Sequence, residues 1–218
     1  MEKLDLKKQF KFLYAPSAKK VEVVDVPALN FAMIDGAIEP GQGPGTSPLF
    51  QENMQALYGA AYTLKFMLKQ RKENAVWNGP AVGNGPVDYP VMALEGLWWV
   101  EDSLFDIHKP GNWKYTVMIM QPDLITPELF QEALAQLRKK KPGPGIERLR
   151  FERFHEGRSL QLLHVGPYSE EPATVARMDA FAQEHGYNLH GKHHEIYLGN
   201  PLRADPAKLK TILRHPIM

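Results

Sequence analysis

Cysteine is absent from the 218 residues, which removes disulfides and thiolate chemistry from any account of the fold or the function. A surplus of charge is also absent. The chain has 26 Lys and Arg against 25 Asp and Glu, a formal net charge of +1. Nucleic-acid binding needs a basic patch that displaces counterions, so no direct nucleic-acid binding is expected. The run Lys139, Lys140, Lys141 reads as a solvated helix end. No stretch approaches the roughly 18 apolar residues that span a bilayer, and the opening MEKLDLKKQF lacks the apolar core of a secretory signal. The expectation is a cytoplasmic chain with no membrane partner. Catalytic signatures are sparse too. GQGPG and GNGP lack the Gly-Lys-Ser/Thr of a phosphate loop, the dinucleotide fingerprint spacing is missing, and no serine sits in a G-x-S-x-G elbow. No cofactor is expected. His190, His193 and His194 cluster beside Glu195, but His193 and His194 face opposite ways on a regular strand and no H-E-x-x-H helix is present, so no metal is expected.

What is present is an ordinary globular core, with 44% hydrophobic residues. Residues 1 to 20 read as a charged arm. Val21 to Ile38 is apolar and interrupted by Pro27, which predicts a bent strand or two short ones. After the loop GQGPGTSP, Ser47 caps and Pro48 opens a helix over about 48–71. Its Leu49, Met54, Leu57, Ala61, Leu64 and Leu68 share one face. Asn78-Gly79 and Asn84-Gly85 mark turns, and strands are expected over about 88–100 and 113–121, with a turn at Pro110-Gly111 between them. Thr126 and Pro127 open a shorter helix that ends in KKKPGPG. The second half predicts a hairpin over 148–165 turning at Glu156-Gly157, a helix over about 171–185 stopped by Gly186, a strand over 192–199 and a final strand at TILRHPI.

The two halves repeat an order. FAMIDG (31–36) corresponds to LQLLHVG (160–166), each followed by a Pro-containing loop, a helix and an aromatic strand, LEGLWW or HEIYL. The fold class expected is α+β: duplicated β-α-β-β units over about 21–122 and 148–218, joined by a helix and linker at 123–147. Antiparallel sheets lie side by side with helices on one face, leaving the other face free for a concave site. Alternation along a strand puts Glu195 and Tyr197 on one face and Ile196 and Leu198 on the other. The apolar pair reads as the helix-facing side, so Glu195 and Tyr197 point away from the helices. The same alternation separates Trp98 from Trp99, one in the core and one at a pocket or surface, without saying which.

HEIYLGNPLR (194–203), LEGLWWVED (94–102), WKYTVMIMQPD (113–123) and HVGPYSE (164–170) together resemble stand-alone proteins of the GyrI-like small-molecule-binding family. The resemblance implies a single domain built from two SHS2-like modules around an aromatic cleft. It also implies a likeness to the effector domains of multidrug sensors, which take bulky aromatic, often cationic, ligands against a buried acid. One subfamily it implies consists of cyclopropanoid cyclopropyl hydrolases, which open a strained ring inside an aromatic cage. Carried onto this chain, the acid is Glu195, with Tyr197 beside it as the second catalytic candidate. Trp98, Trp99 and Tyr168 join them as ligand-binding candidates, and the partner implied is a hydrophobic small molecule.

Overall fold

A computed structural model describes residues 1–71, 85–101, 105, 112–201 and 203–218. The turns expected at Asn78-Gly79, at Asn84 and at Pro110-Gly111 lie outside the described residues. In chain order the elements are β1 (Glu2–Lys3), α1 (Leu6–Gln9), α2 (Lys11–Tyr14), β2 (Glu22–Val26), β3 (Leu29–Ala37), α3 (Pro48–Lys69), β4 (Val87–Asp88) and β5 (Leu94–Trp99). They continue with β6 (Lys114–Gln121), α4 (Pro127–Lys140), β7 (Arg150–Phe154), β8 (Gly157–Val165), α5 (Glu171–Glu184), β9 (His193–Tyr197) and β10 (Lys210–Pro216). Pro27 separates β2 from β3, as a residue without a ladder donor should. Ser47 and Thr126 cap α3 and α4 by accepting from the backbone N–H of Phe50 and Leu129. The expected strand over 88–100 is shorter than its apolar run. Val87 and Asp88 instead pair in parallel with β1.

Eight strands form one continuous sheet in the order β2-β8-β10-β9-β5-β6-β3-β7, and every pairing in it is antiparallel. The side-by-side sheets expected from the sequence are therefore fused, and the seam is β5 against β9, with Gly96 opposite Glu195. The order β3, β6, β5 in the first half matches β8, β10, β9 in the second. The strands that precede these triplets are exchanged: β2 pairs with β8 and β7 pairs with β3.

Long helices pack on one face. Phe50 of α3 stacks on Trp98 at 5.9 Å and meets Tyr115 edge-on at 5.0 Å. Met178 and Ala182 of α5 pack with Leu160, Leu162 and Leu213. The other face is not bare. The N-terminal arm brings Leu13 and Tyr14 onto it, both buried, and Tyr14 reaches Glu95 and Met120. Among the described residues no helix is long and apolar enough to cross a membrane.

Candidate functional site

Register decides where the candidate residues point. Across the seam Leu94 pairs with Tyr197, Gly96 with Glu195 and Trp98 with His193. Residues paired across strands share a face, so Glu195, Tyr197 and His193 lie on the face of Trp98, which is the face that α3 covers. Leu213 pairs with Glu195 and packs against α5, which puts both helices on that same face. The expected alternation of Glu195 and Tyr197 against Ile196 stands, but its direction is reversed. Glu195 and Tyr197 face the helices, whereas Ile196 faces the arm. The rule that the apolar set faces the helices fails here because the arm makes the second face a core as well.

A short chain of hydrogen bonds organises the site. Trp98 Nε1 donates to the Tyr197 hydroxyl at 3.0 Å, and that hydroxyl donates to Glu195 Oε2 at 2.6 Å. His193 Nε2 lies 3.2 Å from Glu195 Oε1, at an angle too poor for a hydrogen bond. Tyr168 meets the Tyr197 ring edge-on at 5.9 Å and is 37% exposed, so one wall opens to solvent. Burial, with the charges of Glu171 and Glu195 behind it, pushes the Tyr168 phenol up to about 12. The same three influences, with burial first, hold the Tyr197 hydroxyl protonated far above neutral pH. Gly96 belongs to this geometry. A Cβ there would lie 2.8 Å from Trp98 Nε1 and 3.3 Å from the Tyr197 hydroxyl, so only glycine admits the indole–phenol contact.

The residue that sequence reasoning missed is Glu171. It is the first residue of α5 and 1% exposed. Burial, then the neighbouring charge of Glu195, pushes its carboxyl up to about 9, against a weaker pull from the Thr211 hydroxyl. Glu171 is therefore a neutral acid at pH 7 beside a second carboxyl group. The signal was available: Glu171, Thr174, Met178 and Ala182 are the buried residues of α5 and recur at helical spacing, so a carboxyl stands where an apolar residue belongs. Glu171 Oε1, Thr211 Oγ1 and His193 Nε2 are buried polar atoms that make no hydrogen bond of good geometry among the described residues, with Thr211 standing by Glu171 and His193 by Glu195. His215 stands edge-on to His193 at 6.1 Å. Burial and then His193 push its ring down to about 4, so it is neutral.

Four of the five sequence-selected residues thus meet: Glu195, Tyr197, Tyr168 and Trp98. Trp99 does not. It lies on the opposite face, its ring 3.4 Å beneath Lys192 Nζ. Trp98 is joined instead by Trp113 at 5.9 Å, which in turn meets Phe105 at 5.2 Å. Phe105 stacks on His193 at 5.4 Å. A wide groove of about 830 Å³ between the edge of β8 and α5 is lined by Val165, Ser169, Glu170, Ala173 and Arg177 among others, and by none of these residues. Its open shape and lack of aromatic side chains make it a poorer ligand site. No group of three His, Asp or Glu side chains among the described residues is placed to hold a metal.

The other face carries a buried ionic chain. Tyr14 donates to Glu95 at 2.5 Å. His194 bridges Glu95 and Glu156 at 3.0 Å each. Arg214 reaches Glu156 at 3.2 Å, the Leu13 carbonyl at 3.0 Å and Gln161 at 3.2 Å. His193 and His194 are thus split between two unrelated networks.

Residues 19–217 match the model of the GyrI-like small molecule binding domain. A crystal structure of an uncharacterized conserved protein from Listeria innocua is similar, with 39% identity, a TM-score of 0.83 and coverage of 99% of this chain and 100% of that one. So is a crystal structure described as a hydrolase from Listeria innocua, with 37% identity, a TM-score of 0.79 and the same coverage. The C-terminal domain of EcmrR shares the fold at 10% identity and a TM-score of 0.52, over 91% of this chain and 97% of that one. EcmrR has also been solved in complex with DNA, where the likeness is 13% identity and a TM-score of 0.52 over 62% of that chain. These two show the fold alone, so the expectation of no nucleic acid rests on charge balance only. No curated protein matches the chain significantly. With nearly its whole length covered by the family model and by relatives of this similarity, the chain belongs to the GyrI-like small molecule binding domain family.

Proposed function

We propose that the chain binds bulky, flat aromatic or cationic small molecules between α3 and α5, against the Trp98–Tyr197–Glu195 chain. The observation that carries this reading is an acid walled by aromatic rings, with buried polar atoms that make no good hydrogen bond beside it and its neighbour Glu171. A buried polar group without a partner costs free energy, and a ligand that supplies the partner recovers it. Aromatic faces attract cations and flat rings, and exclusion of water strengthens the pull of a carboxylate. Fluorescence titration with ethidium, a flat permanent monocation, tests this reading. Binding by the parent and an affinity at least about tenfold lower in Glu195→Gln is the expected result. Equal affinity in the two would remove Glu195 from the site.

A second reading, hydrolysis of cyclopropanoid alkylating agents, is favoured by the hydrolase relative, similar over its whole length. In this reading Glu195 takes a proton from water as the water oxygen bonds to a ring carbon of the cyclopropane. The strained C–C bond breaks, its electron pair moves into the conjugated carbonyl, and a tyrosine hydroxyl hydrogen-bonds the oxygen that gathers charge. Protonation of that oxygen completes the addition of one water. Mass spectrometry of a spirocyclopropyl dienone after incubation should show that gain, at a rate roughly 10²-fold or more lower in Glu195→Gln. Binding without any gain of water would leave a sensing or sequestering module that acts through a partner protein.

A further inference from the structure

We propose that Glu171 and Glu195 form a carboxyl pair that holds one proton between them, and that a cationic aromatic ligand displaces this proton when it binds. The inference rests on the binding reading above and deepens it, because it specifies the charge the site presents. Glu171 enters from α5 and Glu195 from β9. The charge of Glu195 opposes the ionisation of Glu171, and both carboxyls act on the phenols of Tyr168 and Tyr197. Glu195 is served on one oxygen by the Tyr197 hydroxyl, whereas Glu171 Oε1 makes no hydrogen bond of good geometry among the described residues and is shut away from water. Two carboxylates confined together cannot both ionise cheaply, so the worse-solvated one, Glu171, keeps the proton.

No fixed cation among the described neighbours changes this balance. The groups facing the pair are His193 and Tyr197 on β9, Thr211 on β10, Tyr168 in the preceding turn and Trp98 on β5, with His215 on β10 and Asp179 on α5 beyond them beside His193. His215 is neutral, and burial also raises the Asp179 carboxyl, with His193 opposing it. His164 of β8 is occupied by Thr174 at 2.8 Å and the Pro167 carbonyl at 3.2 Å. A cation placed against Tyr197 and Glu195 supplies the missing positive charge. It favours the ionised form of Glu171, and the proton on Glu171 leaves to solvent. The site then meets a monocation with two negative charges instead of one, and a neutral aromatic molecule with one. That difference selects for cationic ligands increasingly as pH rises.

Two measurements test this. The first needs no ligand: carboxyl carbons of the glutamates are followed by NMR from pH 4 to 10. One carboxyl should titrate well above neutrality in the parent, vanish in Glu171→Gln and move to lower pH in Glu195→Gln. Absence of such a carboxyl in the parent overturns the shared proton. The second is calorimetry with ethidium at pH 7.5 in buffers of different ionisation enthalpy. About one proton should be released per ligand by the parent and by the exposed control Glu170→Gln, and almost none by Glu171→Gln. Binding with no release overturns the displacement while leaving the binding reading intact. Failure of ethidium to bind overturns both the cation reading and the displacement, and leaves the NMR result to decide the proton pair by itself.

Discussion

Trp98 and Trp99 are neighbours in sequence with opposite surroundings. Trp98 is buried against Phe50, Tyr115 and Trp113 and hydrogen-bonds Tyr197. Trp99 lies under Lys192 on the other face. Trp98→Phe should therefore abolish most of the fluorescence quenching produced by ethidium, and Trp99→Phe should leave it in place. Quenching that follows Trp99 instead would move the ligand to the opposite face. The alternation that separates the two indoles was legible in the sequence; the face each belongs to was not. Ile196 is fully buried under the arm while Glu195, on the other face, is also buried, so apolar character did not mark the helix side. A sheet covered on both faces removes the polar–apolar contrast on which such readings depend. Glu171 escaped notice for a related reason: two successive glutamates at a helix start look like favourable dipole partners, and only the register of α5 turns the second one inward. In the ionic chain, Glu156 is caught between His194 and Arg214. Glu156→Gln should cost about 3–5 kcal/mol, the usual penalty for stranding a buried charge, and denaturant unfolding would measure it.

The elements themselves were the most legible part, because caps and breakers act locally. Ser47-Pro48, Thr126-Pro127 and Pro27 mark boundaries that the structure keeps. What they could not convey is how an element supports the site. β3 ends near Gly36, where an added Cβ would lie 2.2 Å from the Tyr115 hydroxyl. That hydroxyl accepts from Asn53 of α3 at 3.0 Å, and the Tyr115 ring meets both Phe50 and Trp98. Gly36→Ala should therefore displace the ring that backs Trp98. The expected outcome is a loss of roughly 1–3 kcal/mol, typical of overpacking, together with weaker ethidium binding although residue 36 touches no ligand. A variant that loses stability while keeping full affinity would show that the Trp98 wall does not depend on Tyr115. Ser47→Ala, at the far end of the loop that follows β3, should cost about 1 kcal/mol through the lost cap and leave affinity unchanged.

At the scale of the whole molecule, the seam and the exchanged strands tie the halves into one sheet, which a repeat read from sequence order could not reveal. Long-range pairing is invisible to local pattern. If the halves are copies, β3, α3, β5 and β6 should superpose on β8, α5, β9 and β10 with their helices on equivalent sides. The pH dependence of stability also belongs to the whole, since it adds the contributions of two networks on opposite faces. Burial alone would lower His194, but Glu156 and Glu95 push it up to about 9 from its ordinary 6.5. Its contribution is full below 6.5 and is lost as pH rises through about 9. Burial alone would raise Glu156, but His194 and Arg214 hold it down at about 2 against an ordinary 4.5. Its contribution is full above 4.5 and is lost as pH falls through about 2. Glu171 runs the other way for a carboxyl. It is raised from 4.5 to about 9, so the folded chain binds its proton more tightly than the unfolded chain does, and its own contribution declines across that whole interval. His215, lowered from 6.5 to about 4 by burial and then His193, offsets this between about 4.5 and 6.5, because there the unfolded chain holds the His215 proton and the folded chain does not. Thermal melts should therefore show the parent nearly level between about 4.5 and 6.5 and losing stability above 6.5. In Glu171→Gln the curve should rise between about 4.5 and 6.5, through His215 alone, and decline only above 6.5, where His194 begins to lose its proton in the unfolded chain. Parallel curves for parent and variant across that lower window would mean that Glu171 does not hold a proton in the folded protein.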